Sequence, residues 1–194
     1  MRNKTRVSQH RVAPRKRRTE RALKPPAALM HVGAGSDHTP KPAVTWIPSP
    51  NFASRNGSAI DTLILHNTDG TLASAIQRFQ NPTAQVSAHY IVDRNGGITQ
   101  MVSDSETAWH SGKKDMNQRS IGIEVVAWVS ALGMTNEQEA SLIALCKYAL
   151  DSYSIALDRV FPHRDIKPTK CPGWVWPTDS DFTAWTTGKL GNSA

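Results

Sequence analysis

Cysteine is scarce in this chain: Cys146 and Cys171 are the two thiols in 194 residues. They cannot build a disulfide framework, and a single bridge is the most they allow. No apolar run approaches the roughly 18 residues of a membrane span, so the chain is not expected to cross a bilayer. The uninterrupted apolar stretch of about 7–15 residues in a cleaved secretory leader is missing as well. Its one candidate, Ala27 to Val32, is broken by His31 and sits behind Pro25-Pro26 and a very basic segment. The Arg17-Arg18 pair raises the twin-arginine route, yet the expectation is a chain without an export signal, folded in the cytoplasm.

Acidic residues are almost absent from the first part of the sequence. Residues 1–41 hold 11 Lys/Arg against two acids, Glu20 and Asp37, a balance of +9, whereas residues 42–194 hold 12 against 14, a balance of −2. The overall charge of +7 therefore belongs to a tail. Like charges repel, and Pro14, Pro25, Pro26, Pro40 and Pro42 interrupt any long helix, so residues 1–42 read as a disordered basic arm and linker. Residues 43–194 then form one domain, with order beginning near Val44. The arm suits anionic envelope polymers; it has no aromatic side chain to stack on bases, so no specific nucleic-acid partner is expected. A monomer is expected.

The body interleaves strand and helix patterns. Ile60 to His66 is short and rich in aliphatic residues, like a strand buried on both faces, and Asn67-Thr68-Asp69-Gly70 is turn chemistry. Leu72, Ala75, Ile76 and Phe79 recur at helical spacing until Pro82. Val86–Val92 and Ile98–Val102 flank Asp93-Arg94-Asn95-Gly96-Gly97, a hairpin signal. Ser120 to Trp128 reads as another buried strand. Thr135-x-x-Gln138 reads as a capping box ahead of a helix that carries Cys146 on its apolar face. Arg159 to His163 forms a short strand running into a loop, and Asp179 to Thr187 a last helix. The expected class is α/β, a central mixed sheet flanked by helices.

Three groups able to bind a soft or borderline metal end strands or lie in adjoining loops: His66, His163 and, eight residues further, Cys171. Zinc is held by His nitrogen and Cys thiolate, and a catalytic site combines three such ligands with an open position. From spacing alone the set is weak, and separate satisfied histidines plus one buried thiol is an equally open reading. Glu124 interrupts the apolar run Ser-Ile-Gly-Ile-Glu-Val-Val, where a carboxylate needs a partner or a task. It can take a proton from water beside a metal; alternatively it faces solvent, or pairs with Arg119 or Arg164.

Six blocks, in order, resemble the zinc-dependent N-acetylmuramoyl-L-alanine amidases of the type-2 group, which includes phage endolysins and the peptidoglycan recognition proteins. They are Trp46-Ile-Pro-Ser-Pro-Asn-Phe52, Leu63-Ile-Leu-His66-Asn-Thr68, Val86-Ser-Ala-His89-Tyr90, Ala108-Trp109-His110-Ser-Gly112, Ser120-Ile-Gly-Ile-Glu124 and Pro162-His163-Arg-Asp-Ile-Lys-Pro-Thr-Lys-Cys171-Pro-Gly173. The resemblance covers residues 44–185. It implies that zinc is held by His66, His163 and Cys171, that Glu124 is the general base, and that Trp109 and His110 belong to a substrate-contacting segment. Asn67 and His89 are further candidates for the substrate side, His89 as a wall residue or a support behind the ligands rather than a ligand itself. Ala88 departs from the tyrosine of some members. Thr169 stands where others have an oxyanion-stabilising lysine, with Lys170 beside it, and the resemblance does not choose between them.

The activity so implied is hydrolysis of the bond between N-acetylmuramic acid and L-alanine of the stem peptide in bacterial peptidoglycan, as in a phage-type endolysin. A non-catalytic peptidoglycan-binding module, or an amidase recycling soluble muropeptides, are the alternatives. Trp174, Trp176 and Trp185 stack on sugars or pack in the core.

Overall fold

Among the described residues, eight strands and five α-helices follow one another as β1 (Thr45–Trp46), β2 (Phe52–Ser54), β3 (Thr62–Asn67), α1 (Leu72–Gln80), β4 (Tyr90–Val92), β5 (Ile98–Gln100), β6 (Glu106–Ala108), α2 (Lys114–Arg119), β7 (Ser120–Val125), α3 (Asn136–Ser152), β8 (Val160–Pro162), α4 (His163–Ile166) and α5 (Asp179–Leu190). The computed structural model describes residues 38–191; the arm expected over residues 1–37 lies outside them. Residues 38–42, assigned from sequence to the linker, are tied to the body. Thr39 N–H donates to Asp151 Oδ2, and Lys41 Nζ donates to Gln100 Oε1 at 3.1 Å and Asp104 Oδ2 at 3.2 Å. The cause is Asp104, a buried carboxylate that also accepts from the hydroxyls of Tyr90, Tyr153 and Tyr148 at 2.5, 3.0 and 3.2 Å.

The strands form a six-stranded sheet in the order β1-β5-β4-β7-β3-β8, with β2 and β6 paired antiparallel as a separate ribbon. Only β4 and β5 are antiparallel within the main sheet, so it is mixed, as expected. Their connection is the anticipated hairpin: Gly96 N–H donates to Asp93 O, and Gly96 takes φ +83°, a conformation glycine reaches without steric cost. The adjacent interior strands β7 and β3 are buried at every position, which explains their nearly continuous apolar sequence.

Alternation along these strands divides the sheet into two faces. Leu63, Leu65, Tyr90, Val92, Ile121, Ile123 and Val125 pack with Leu142, Leu145, Cys146 and Ala149 of α3 and with Phe182 and Trp185 of α5. Ile91 joins Ala75 and Phe79 of α1 on the opposite face. Trp176 and Trp185 thus take the core-packing alternative, Trp176 meeting Phe182 edge to face and Trp185 at a tilt. The first block of the resemblance pins α1 to the sheet: the Asn51 side-chain amide donates to carbonyls of Phe79, Asn81 and Val86.

Several boundaries differ from the sequence reading. The strand expected over Ser120–Trp128 ends at Val125, and the loop expected after His163 begins with the single turn of α4. Only half of the capping box forms. Thr135 Oγ1 accepts from Gln138 N–H, but the Gln138 side chain turns inward and donates to Val92 O, at the end of β4, and to Val126 O, just past the end of β7.

Candidate metal centre

Strands β3, β7 and β8 run parallel and end together, and their carboxyl ends deliver His66, Glu124 and His163 to one place. Such ends are where open α/β sheets gather ligands. The chain then makes the turn of α4 and returns: Arg164 N–H donates to Cys171 O, which brings the Cys171 thiol back over β3. One donor atom from each of His66, His163 and Cys171 lies within 4.8 Å of the other two, and His66 Nδ1 is 3.8 Å from Cys171 Sγ. Two ligands of a tetrahedral zinc with bonds of about 2.0–2.3 Å stand about 3.5 Å apart, so the set needs little adjustment to enclose an ion.

The electrostatics suit neutral nitrogen ligands and, with no metal bound, a thiol that keeps its proton. Burial, reinforced by His163, holds the pKa of His66 well below its ordinary value, and burial also lowers that of His163. His163 Nε2–H donates to Ser111 O at 3.1 Å, which leaves the lone pair on Nδ1. Burial, then Glu124, raises the Cys171 thiol, while the Asn67 N–H, 3.3 Å from Sγ, opposes the rise. An ion bound there would displace that proton.

Glu124 is the register partner of His66 and lies on a central strand. It therefore takes none of the bland alternatives. Arg119 pairs with Asp61 and Arg164 with Asp179. Burial pushes the Glu124 carboxyl up to about 8, Arg78 pulling against it, and its Oε2 has no hydrogen-bond partner among the described residues. A buried carboxyl oxygen without a partner is costly unless something else arrives to use it.

These groups open into a cavity of about 240 Å³ lined by His66, Glu124, His163, Cys171, Thr169, Arg78 and Trp109, among others. On one side it meets a groove of about 830 Å³ that shares Trp109, His110 and His163 and adds Gly112, Lys114 and Lys167. On the other lies a hollow of about 620 Å³ with Asn67, Asp69, Thr169, Lys170, Cys171 and Trp174.

Most residues singled out from sequence thus converge, but not all in the roles expected. Asn67 and Trp109 line the cavity, and so does Thr169, whose Oγ1 accepts from Cys171 N–H at 3.2 Å. Lys170 lies outside it, in the adjoining hollow. His89 does not reach the cavity. It is fully buried, its Nδ1 accepting from Gly122 N–H at 3.0 Å and its Nε2 held against Glu106 O and the Arg55 guanidinium, and it lines neither the cavity nor the groove. Burial and then Arg55 drop its pKa to about 3. His110 lines both spaces, yet its Nδ1 sits 3.0 Å from His66 Nε2 and its Nε2 3.1 Å from Ser120 Oγ.

Two cations at the site were not anticipated. Arg78 is exposed on the polar side of α1, where its spacing carries no signal. Lys167 follows His163 by four residues across a single helical turn, a spacing that places two side chains on one face.

A model of the N-acetylmuramoyl-L-alanine amidase family matches residues 56–174. The chain is similar to N-acetylmuramoyl-L-alanine amidase A of Achromobacter lyticus, with 43% identity over 82 residues, 41% of this chain and 45% of that protein. It is also similar to 1,6-anhydro-N-acetylmuramyl-L-alanine amidase AmpD of Haemophilus influenzae, with 37% identity over 93 residues, 44% and 50% of the two chains. The matches thus span about half the length of these relatives. A crystal structure of an AmpD derivative superposes with a TM-score of 0.62 at 23% identity, covering 77% of this chain and 97% of that one, and shares the fold.

Proposed function

The chain belongs to the N-acetylmuramoyl-L-alanine amidase family, and from that membership we propose that it hydrolyses the amide between the lactyl group of N-acetylmuramic acid and L-alanine in peptidoglycan. The observation that carries the reading is the convergence of His66, His163 and Cys171 beside the unpartnered oxygen of Glu124. The three residues are a zinc set by chemistry and spacing, and zinc, when bound, supplies positive charge that polarises the scissile carbonyl and acidifies water. An intact third ligand favours catalysis over mere binding of the polymer.

Glu124 takes a proton from the attacking water as its oxygen bonds to the carbonyl carbon, and gives that proton to the alanine nitrogen as the carbon–nitrogen bond breaks. A carboxyl whose pKa burial has raised is suited to both halves of this transfer. Thr169, whose Oγ1 already accepts from Cys171 N–H, has its own hydroxyl proton to offer the carbonyl oxygen as charge develops there. Trp109 and Asn67 supply walls for the substrate, and the lysines of the flanking groove attract the carboxylates of a stem peptide.

Mass spectrometry of digested peptidoglycan tests the proposal. Released stem peptides with a free L-alanine amino group, in a digestion that chelation stops and zinc restores, are the expected result; new reducing sugars would identify a glycosidase instead. The AmpD relative's name, which specifies a 1,6-anhydro-muramyl substrate, supports a second reading in which soluble muropeptides are cleaved. Initial rates on insoluble sacculi and on a soluble anhydro-muropeptide separate the two. In the endolysin-type reading the monomeric protein stays in the cytoplasm until it is released to the wall. There the basic residues of the arm draw it to anionic envelope polymers.

A further inference from the structure

The structure assigns His110 to a positioning role: with Ser120 it fixes His66 in the tautomer that leaves Nδ1 free for a metal ion. This rests on the metal-centre reading above. Ser120 Oγ lies 2.6 Å from Met116 O, an acceptor only, so its single proton is committed there. The same oxygen is 3.1 Å from His110 Nε2 and must therefore accept, which puts the His110 proton on Nε2. His110 Nδ1 is then a lone pair, 3.0 Å from His66 Nε2, and the His66 ring can meet it only by donating from Nε2. What remains on His66 is the Nδ1 lone pair, the atom 3.8 Å from Cys171 Sγ.

A second observation shows that the fold makes room for this arrangement. Ser120, Gly122 and Glu124 alternate onto one face of β7, and the His110 ring occupies the place where a side chain at residue 122 would stand. A Cβ on Gly122 would meet His110 ring atoms at 2.5–2.6 Å, a distance that no rotation of a buried ring relieves cheaply. The His66 and His110 rings meet edge to face, centroids 5.1 Å apart. Such outer partners of ligating histidines are worth about 10–100-fold in metal affinity. The strand motif Ser-Ile-Gly-Ile-Glu therefore carries three jobs: a proton acceptor for His110, a vacancy for its ring, and the carboxyl beside the metal.

The test reads tautomers and affinity rather than turnover. In metal-free protein, long-range nitrogen–proton NMR of the histidine rings should find His66 and His110 both protonated on Nε2. A proton on Nδ1 of His66 would overturn the assignment. Ser120→Ala should leave both rings in mixed tautomers and weaken zinc binding about 10-fold or more in competition with a chromophoric chelator. His163, whose tautomer is set by Ser111 O, should keep its spectrum, which a general loosening of the site would not allow. His110→Phe should lose affinity at least as much, and wild-type affinity in both variants would sink the idea. Failure of the wild type to bind zinc would refute the metal reading instead, with the ring spectra still deciding the tautomer.

Discussion

His66 and Glu124 are register partners on adjacent parallel strands, so a buried imidazole and a buried carboxyl share one rung of the sheet. Neither group can shift along its strand without moving the other's surroundings. The distance between the proposed ligand and the proposed base is thereby tied to backbone pairing as well as to side-chain rotation.

Glu124→Gln should retain stoichiometric zinc and bind peptidoglycan while turnover falls roughly 10²–10⁴-fold, the usual worth of a positioned base. Metal analysis and initial rates on the same preparation check it. A zinc-loaded variant with the wild-type rate would transfer the proton-accepting role to another group.

The same carboxyl should shape the stability of metal-free protein. Its pKa is raised from 4.5 to about 8 on folding, so between those values the folded state holds a proton that the unfolded chain has lost. Stability should therefore fall as pH rises through that window and level off above it. Glu124→Gln should abolish this slope, with the variant melting on the order of 5 °C above wild type near pH 8.5. Thermal scans in chelator across pH 4–9 would expose a parallel response, which would contradict the assignment.

Cys171→Ser replaces a soft thiolate by a hydroxyl and should weaken zinc retention by orders of magnitude. Activity should disappear at limiting zinc and the stabilisation of the loaded protein with it. Equilibrium dialysis against buffered zinc measures the first effect, and melting with and without metal the second.

The parts of this site that were legible in the sequence are those whose meaning is local. His66 closes an aliphatic strand, and His163 and Cys171 share one loop. The hairpin at Asp93–Gly97 declares itself through its turn residues. What was not legible depends on contacts between distant segments. His89 reads as a substrate group until Arg55 is seen against it. Gly122 reads as an ordinary strand glycine until the His110 ring is found over it. Gln138 has the sequence of a cap residue, but two buried carbonyls compete for its amide and win. The three-residue strands β2 and β6 are too short to show any period.

Asp104 offers a stability test away from the cavity. Burial alone would raise its pKa, but the Tyr90 hydroxyl and Lys41 more than offset this and hold it below the ordinary value. Asp104→Ala would strand Lys41 and three tyrosine hydroxyls, at a cost of about 3–5 kcal/mol, or roughly 10 °C in melting temperature. A loss under about 1 kcal/mol in denaturant titrations would show that water replaces the carboxylate.

Removing residues 1–37 spares Lys41 and its contact with Asp104. The shortened protein should cleave a soluble muropeptide at the full rate and act more slowly on whole envelopes at low salt. That difference should vanish near 1 M salt, where the Debye length is about 3 Å. Equal losses on both substrates would make the removed segment part of the catalytic body.

The place of β8 in the sheet gives the metal set a further meaning. This strand lies at an edge, is held by β3 alone, and carries His163 at its end with Cys171 close behind. His66, by contrast, is on a strand paired on both sides, by β7 and β8, 105 residues earlier than Cys171. An ion bridging them would act as a rivet through an edge strand, the kind of element that opens first. In its absence, fraying should begin at β8 and expose the loop over 163–174 to proteases before the rest of the body loosens. The supply of zinc would then govern how long each molecule survives, and not only how fast it works.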